Sequence, residues 1–140
     1  MGFDEQDFND FYQHWGPSVF SFCHMFLGDE QQAELATQNA FVEYVRGRYP
    51  FELESLPRNL VRFALREALK LAPPSPRFPD TEELEGVLSM LEPADRAVFI
   101  LRTVLDLPLH EVANITQLTN EQVNESWMKA SLYLRDIWLK

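Results

Sequence analysis

Residues 109–136 read LHEVANITQLTNEQVNESWMKASLYLRD. Val112 and Ala113, then Val123, Trp127, Ala130, Leu134 and Trp138, fall at the three- and four-residue steps of a helix, a short turn and a second helix. Pro108 opens the first of these, and Thr119 with Gln122 forms a capping-box pattern before the second. In such a unit the second helix commonly enters a groove of DNA. Here its outward positions at the start are Glu121, Asn124, Glu125 and Met128, two carboxylates and no base. The spacing implies a DNA-reading scaffold; the surface does not supply a DNA-reading face.

Upstream of this stretch, Pro93 predicts the first turn of a helix with Ala97, Val98, Leu101, Val104 and Leu105 inward, and Asp80 with Glu83 predicts another start before Leu84, Val87, Leu88 and Leu91. Before that lies LAPPSPRFPD, residues 71–80, four of them proline, which no helix can cross and which should be stiff and extended. The first half is helical by the same criterion. Phe8, Phe11, Tyr12, Trp15, Val19, Phe22, Cys23 and Phe26 share one face, interrupted by Pro17, which predicts a kink or a second start. GDEQ at 28–31 breaks the pattern. A second helix follows with Ala33, Ala36, Ala40, Phe41 and Tyr44 inward, then the loop RGRYPFELESLP, then a third helix with Leu56, Leu60, Phe63, Ala64 and Leu71 inward. No strand-like alternation, repeat or glycine-rich loop is present. The expected fold is all-α, two small helical domains at 1–72 and 81–140, joined by a proline-rich linker at 73–80, the second a helix-turn-helix domain.

Composition narrows the function. With 140 residues, 46% of them hydrophobic and 13% aromatic, the chain can build a core. Its net charge of −10 argues against non-specific binding of nucleic acid or membrane surfaces by the chain as a whole. The lone Cys23 allows no internal disulfide, the acidic MGFDEQDFND lacks the parts of a signal peptide, and no apolar run reaches the length of a membrane span. A soluble, cytoplasmic protein is expected.

Two blocks resemble a bacterial RNA polymerase sigma factor of the sigma-70 family, the small extracytoplasmic-function type. FNDFYQHWGPSVFSFCHMFLGDEQQAELATQNAFVEYV, residues 8–45, is similar to the family's first conserved domain. LEPADRAVFILRTVLDLPLHEVANITQLTNEQVNESWMKASLYLRD, residues 91–136, is similar to its C-terminal helix-turn-helix domain. The resemblance implies that the first domain's acidic helix binds core RNA polymerase, that its third helix helps open the promoter, and that the last helix reads promoter DNA. It also implies no cofactor and no catalytic residue.

Carried over by position, the polymerase-binding residues are Glu34, Thr37, Gln38 and Phe41, while Leu35 and Asn39 stand where the family has carboxylates. In the third helix Leu65, Arg66 and Lys70 replace the family's polar set. Read without the family, Arg58, Arg62, Arg66 and Lys70 repeat every four residues, one cationic stripe opposite Leu60 and Ala64. Like charges at that step repel by about a few tenths of a kcal/mol per pair. Such a stripe fits contact with phosphates; the plainer reading is a solvated face relieved by Glu67 and Glu54. In the last helix the family's bases correspond to Asn124, Ser126, Met128 and Lys129, with Ser131 beyond, so only Lys129 is basic. Asn120 and Asn124 retain the amides that read adenine edges. Gln117 replaces the turn glycine, at a cost of about 1 kcal/mol if the turn stays left-handed.

His14, Cys23 and His24 share a helix without further ligands, His110 stands alone, and no nucleophile–base set has a local signature, so neither a metal site nor an enzyme is expected. Two functions compete. One is a sigma factor joining polymerase to a promoter. The other is a sigma-like interaction module that has lost promoter reading and acts by binding polymerase, an anti-sigma factor or another regulator. If the 121–128 face packs on the first domain, its acids mask the arginine stripe. Trp127 belongs to the core stripe; Met128 lies outside it and suits a protein partner.

Overall fold

The computed structural model describes residues 4–71, 88 and 90–138, with side chains as far as Arg135. The linker 73–80, the capping box of Asp80 and Glu83, Leu84, Val87, the side chain of Trp138 and the boundary between the two expected domains lie outside the described residues. Those described form helices and no strand, as the all-α reading expects.

Helix α1 spans Glu5–Leu27. The Asp4 carboxylate caps it by accepting from the backbone N–H of Gln6 at 2.9 Å and of Asp7 at 3.3 Å. Gly28, at φ 69°, ends it in the left-handed conformation that glycine adopts without a Cβ penalty. Asp29 then caps α2, Glu30–Arg46, through Gln32 N–H at 2.8 Å. The break read at 28–31 is therefore one helix's end and the next one's start. Pro17 starts no new helix; α1 runs through it, giving up the one backbone bond that proline cannot donate.

Helix α3 is Arg58–Leu71, and α4, Pro93–Phe99, continues into a wide π-turn at Ile100–Val104. There Leu105 N–H donates to the Ile100 carbonyl, five residues back, at 3.1 Å. The extra residue rotates the chain, so Val104, expected inward, is 37% exposed while Ile100 and Leu101 are sealed. Helix α5 is Leu109–Thr116 and α6 is Asn120–Trp138. Between them Gln117 is left-handed at φ 63°, so the turn keeps the shape glycine would give it. The capping box is reciprocal: Thr119 N–H donates to Gln122 Oε1 at 3.0 Å, and Gln122 N–H to Thr119 Oγ1 at 3.1 Å.

Helices α1, α2 and α3 pack together, as do α4, α5 and α6, and a single apolar core runs through both groups. In the first group Phe11 meets the rings of Tyr44 at 5.1 Å, Phe51 at 5.2 Å and Phe41 at 5.8 Å. Tyr12, expected inward, sits at the rim beside Phe41. Trp15 is half-buried because its indole N–H reaches the Glu52 carbonyl at 2.7 Å. The groups meet where α1 touches α4 and the π-turn, and where α3 touches α5. At the first contact Arg96, 1% exposed, donates to the carbonyls of Phe26 at 2.9 Å, Leu88 at 3.0 Å and Leu91 at 2.9 Å, with its guanidinium 5.0 Å from the Phe26 ring centre.

Candidate protein and nucleic-acid interfaces

Three surfaces carry the residues singled out by sequence. The first is the outer side of α2. Glu34 and Gln38 are exposed there, but Thr37 and Phe41 are buried. The Thr37 hydroxyl donates to the Ala33 carbonyl at 2.7 Å, and Phe41 packs on Phe11 and Tyr12. These two shape the floor of a surface rather than its rim. That floor belongs to an apolar groove of about 570 Å³ between α1 and α2, lined by Phe8, Tyr12, Gln38, Phe41, Val42 and Val45. A neighbouring hollow of about 560 Å³ carries Glu34 and Thr37 beside Tyr12 and Phe20. Leu35 and Val42, one heptad apart on α2, are each 47% exposed. Of the two positions where the family pattern has acids, Leu35 is apolar and exposed and Asn39 is a neutral amide. Val42 was not singled out from the sequence, although its place seven residues after Leu35 puts both on one stripe.

The second surface is the cationic face of α3. Arg58, Arg62, Arg66 and Lys70 are all exposed on one side, with Leu60 and Ala64 buried on the other, as their spacing predicts. Most of these charges are already matched. Arg58 forms a bidentate pair with Glu111 of α5, its Nε 3.0 Å from Oε2. Hydrogen bonding to that guanidinium holds the Glu111 carboxyl below the usual carboxylate range, against a smaller opposing effect of burial. Lys70 Nζ lies 2.7 Å from Glu67, and Arg66 lies 3.8 Å from Glu43 and 3.9 Å from Glu67 while stacking 5.0 Å over Phe63. Glu43 and Glu67, rather than Glu54, relieve the stripe. Arg62 has no ion pair among the described residues. It stands between two hollows at the α3–α5 contact, of about 600 and 420 Å³, with Asn59, His110 and Asn114 on one side and Tyr49, Thr116 and Gln117 on the other.

The third surface is α6. Asn120, Glu121, Asn124, Glu125 and Met128 are exposed, so this face does not pack on the first helical group. The carboxylate that covers a stripe arginine is Glu111, from the preceding helix. Lys129, the one base near the start, is held 3.1 Å from Asp95, which also accepts from the Ser126 hydroxyl at 2.6 Å. Trp127, expected in the core, is half-buried: its N–H donates to Thr103 Oγ1 at 3.0 Å and Arg102 lies 5.7 Å over its ring. Beyond Met128 the sequence reading overlooked Leu132, 47% exposed and one turn further along the same face.

Among the described residues no three potential ligands converge on a metal site. Cys23 is sealed in the core, and burial pushes its thiol up to about 12 despite a hydrogen bond with Thr37 that acts the other way. Among the described residues no helix is long and apolar enough to cross a membrane.

No family model matches the chain, and no curated protein does. Among solved structures the chain is similar to the sigma factor RpoE of Bartonella quintana, whose structure was determined in complex with the anti-sigma factor NepR. The two superpose with a TM-score of 0.70 at 17% identity, over 91% of this chain and 96% of that one. At that identity the likeness shows the fold: this chain has the helical fold of a sigma factor.

Proposed function

We propose that this chain is a sigma-factor-like transcription protein that docks on core RNA polymerase through α2 and the groove beside it. The observation that carries this reading is the exposed row Glu34, Leu35, Gln38 and Val42 on α2, of which Gln38 and Val42 line the apolar groove. Such a row suits a partner helix placed against α2, with Glu34 and Gln38 supplying polar contacts and Leu35 and Val42 the apolar ones. The sigma-factor fold supports polymerase as that partner. The two helical groups act in this reading as domains 1–72 and 81–140 on a proline-rich tether. Promoter contact falls to the α3 stripe, with Arg62 as its available cation, and an anti-sigma protein is the regulator suggested by the structural neighbour's own partner.

A second reading, a sigma-like module acting by protein contact alone, is favoured by the pairing of Arg58, Lys70 and Lys129 with Glu111, Glu67 and Asp95, and by the open acids of α6. The test begins with capture of purified core polymerase at low and high salt. Stoichiometric, salt-resistant binding that Leu35→Asp with Val42→Asp abolishes is expected. No binding by a folded chain refutes the reading. Titration of promoter DNA against salt then separates the two: with Arg62 as the available cation, the slope of log K on log salt should be shallow, and Arg62→Ala should reduce it by about one unit.

A further inference from the structure

Helix α6 has two faces. One buries Val123, Ala130 and Leu134. On the opposite side Glu121, Glu125, Met128 and Leu132 fall within an arc of about 60° at 100° per residue, three turns of one continuous stripe. Met128 is 57% exposed and Leu132 47%. A large exposed apolar pair on a helix already anchored by its other face is not needed for folding, and two such residues in adjacent turns form a docking ridge of the kind that a second helix covers. The ridge has a polarity: carboxylates at its N-terminal end, apolar side chains in its middle.

Charge selects the occupant. DNA is disfavoured because Glu121 and Glu125 head the stripe and Lys129 on its flank is bound to Asp95. A second copy is disfavoured because each chain carries a net charge of −10. A partner helix that is both cationic and apolar satisfies the two parts of the ridge. From this we infer that the outer face of α6 docks an amphipathic helix of a partner protein, with apolar residues at helical spacing over Met128 and Leu132 and Lys or Arg toward Glu121 and Glu125. The inference rests on the second functional reading, protein contact through the helix-turn-helix group, and does not require polymerase binding by α2.

The test uses the full chain and a labelled Leu/Lys amphipathic peptide of about 20 residues, long enough to be helical, with the Leu/Glu peptide of the same pattern as its control. Anisotropy gives affinity and amide NMR gives the site. The Leu/Lys peptide is expected to bind with shifts centred on 121–132, and the Leu/Glu peptide not to bind. Met128→Asp with Leu132→Asp should weaken binding by about tenfold or more. Glu121→Lys with Glu125→Lys should reverse the preference between peptides, and Leu35→Asp should leave it unchanged. Equal binding by the double aspartate variant, no reversal on charge inversion, shifts located elsewhere, or displacement of the peptide by duplex DNA overturns the inference. A chain that fails to capture polymerase yet binds the peptide through α6 refutes docking through α2 and keeps this inference; the converse result does the opposite.

Discussion

Arg96 is the residue on which the union of the two helical groups should turn, and Arg96→Met tests it. The arginine sits in α4 at 1% exposure, and 70 residues separate it from Phe26, whose carbonyl it reaches. Methionine keeps the length of the stem and removes all the donors. The Phe26 carbonyl belongs to the last turn of α1, where no further helical N–H is available, so it loses its partner. The Leu91 carbonyl loses its arginine bond, whereas the Leu88 carbonyl keeps the Leu91 N–H at 3.0 Å. Two stranded acceptors at about 1–2 kcal/mol each, plus about 1 kcal/mol of cation–π attraction, set the gross loss. Relief from burying a guanidinium returns part of it, so the net loss should be about 2–4 kcal/mol. For a chain of this size that is a fall in Tm of about 8–16 °C. Urea unfolding followed by far-UV circular dichroism and by tryptophan fluorescence checks it. The wild-type transitions should coincide, because the core is shared, and those of Arg96→Met should shift or separate. Arg96→Lys should recover only part, since a point charge cannot span three carbonyls. A loss below about 1 kcal/mol would refute the reasoning.

Glu111→Gln should cost only about 0.5–1 kcal/mol, because its partner Arg58 is 43% exposed on its side chain and solvent screens the pair. The sign with pH is fixed by the lowered Glu111 pKa: the pair stabilises above the ordinary carboxylate range and is lost as pH falls through the folded value, so variant and wild type should converge in acid, as denaturation at a series of pH values would show. Gln117→Gly should raise stability by about 0.5–1 kcal/mol, relieving the left-handed strain at the loss of the 2.9 Å bond from the Gln117 amide to the Asn114 carbonyl; a fall measured by thermal melting would mean that bond outweighs the strain. Cys23, with its thiol near 12 and no exposure, should resist alkylation at pH 8 until the chain unfolds, and rapid labelling of the native protein by mass spectrometry would contradict its burial.

The elements legible in the sequence were those set by local chemistry. Gly28 and Asp29 mark a helix end and a start, Thr119 and Gln122 mark another start, and a four-residue cationic repeat faces one way wherever a helix forms. What escaped was set by partners distant in the chain. Glu111 lies 53 residues from Arg58, and nothing in either neighbourhood announces the pair. Arg96 carries no signal in its own neighbourhood, because burial of a guanidinium is decided by carbonyls such as that of Phe26, contributed from elsewhere. The π-turn at 100–104 changes the helical phase by one residue, so Val104 was placed inward by a period that the backbone does not keep. Leu132 lies beyond the first turns, where a DNA-reading helix makes its base contacts, and a leucine on an amphipathic helix carries no local sign that it is exposed.

The acids of α6 can be separated from its scaffold. Glu121 lies in the first turn, where a carboxylate gains about 0.3–1 kcal/mol from the helix dipole, but Glu125 lies a turn beyond and repels Glu121 by a few tenths of a kcal/mol. Helix stability therefore accounts for one of the two and not for the pair. The scaffold itself keeps the left-handed turn at Gln117 and a complete capping box. If surface alone denies this helix a DNA groove, then Glu121→Lys, Glu125→Lys and Asp95→Asn together should restore binding, because they add two cations and release Lys129 from its 3.1 Å pair. Three phosphate contacts would give a slope of log K on log salt of about −2.7 where the unaltered helix gives almost none. Anisotropy with duplex DNA across a salt series reads that slope, and circular dichroism verifies that the helix is intact. A folded triple variant that still ignores DNA would place the obstacle in the geometry of the turn and the Glu111–Arg58 contact beside it, not in the charges of α6.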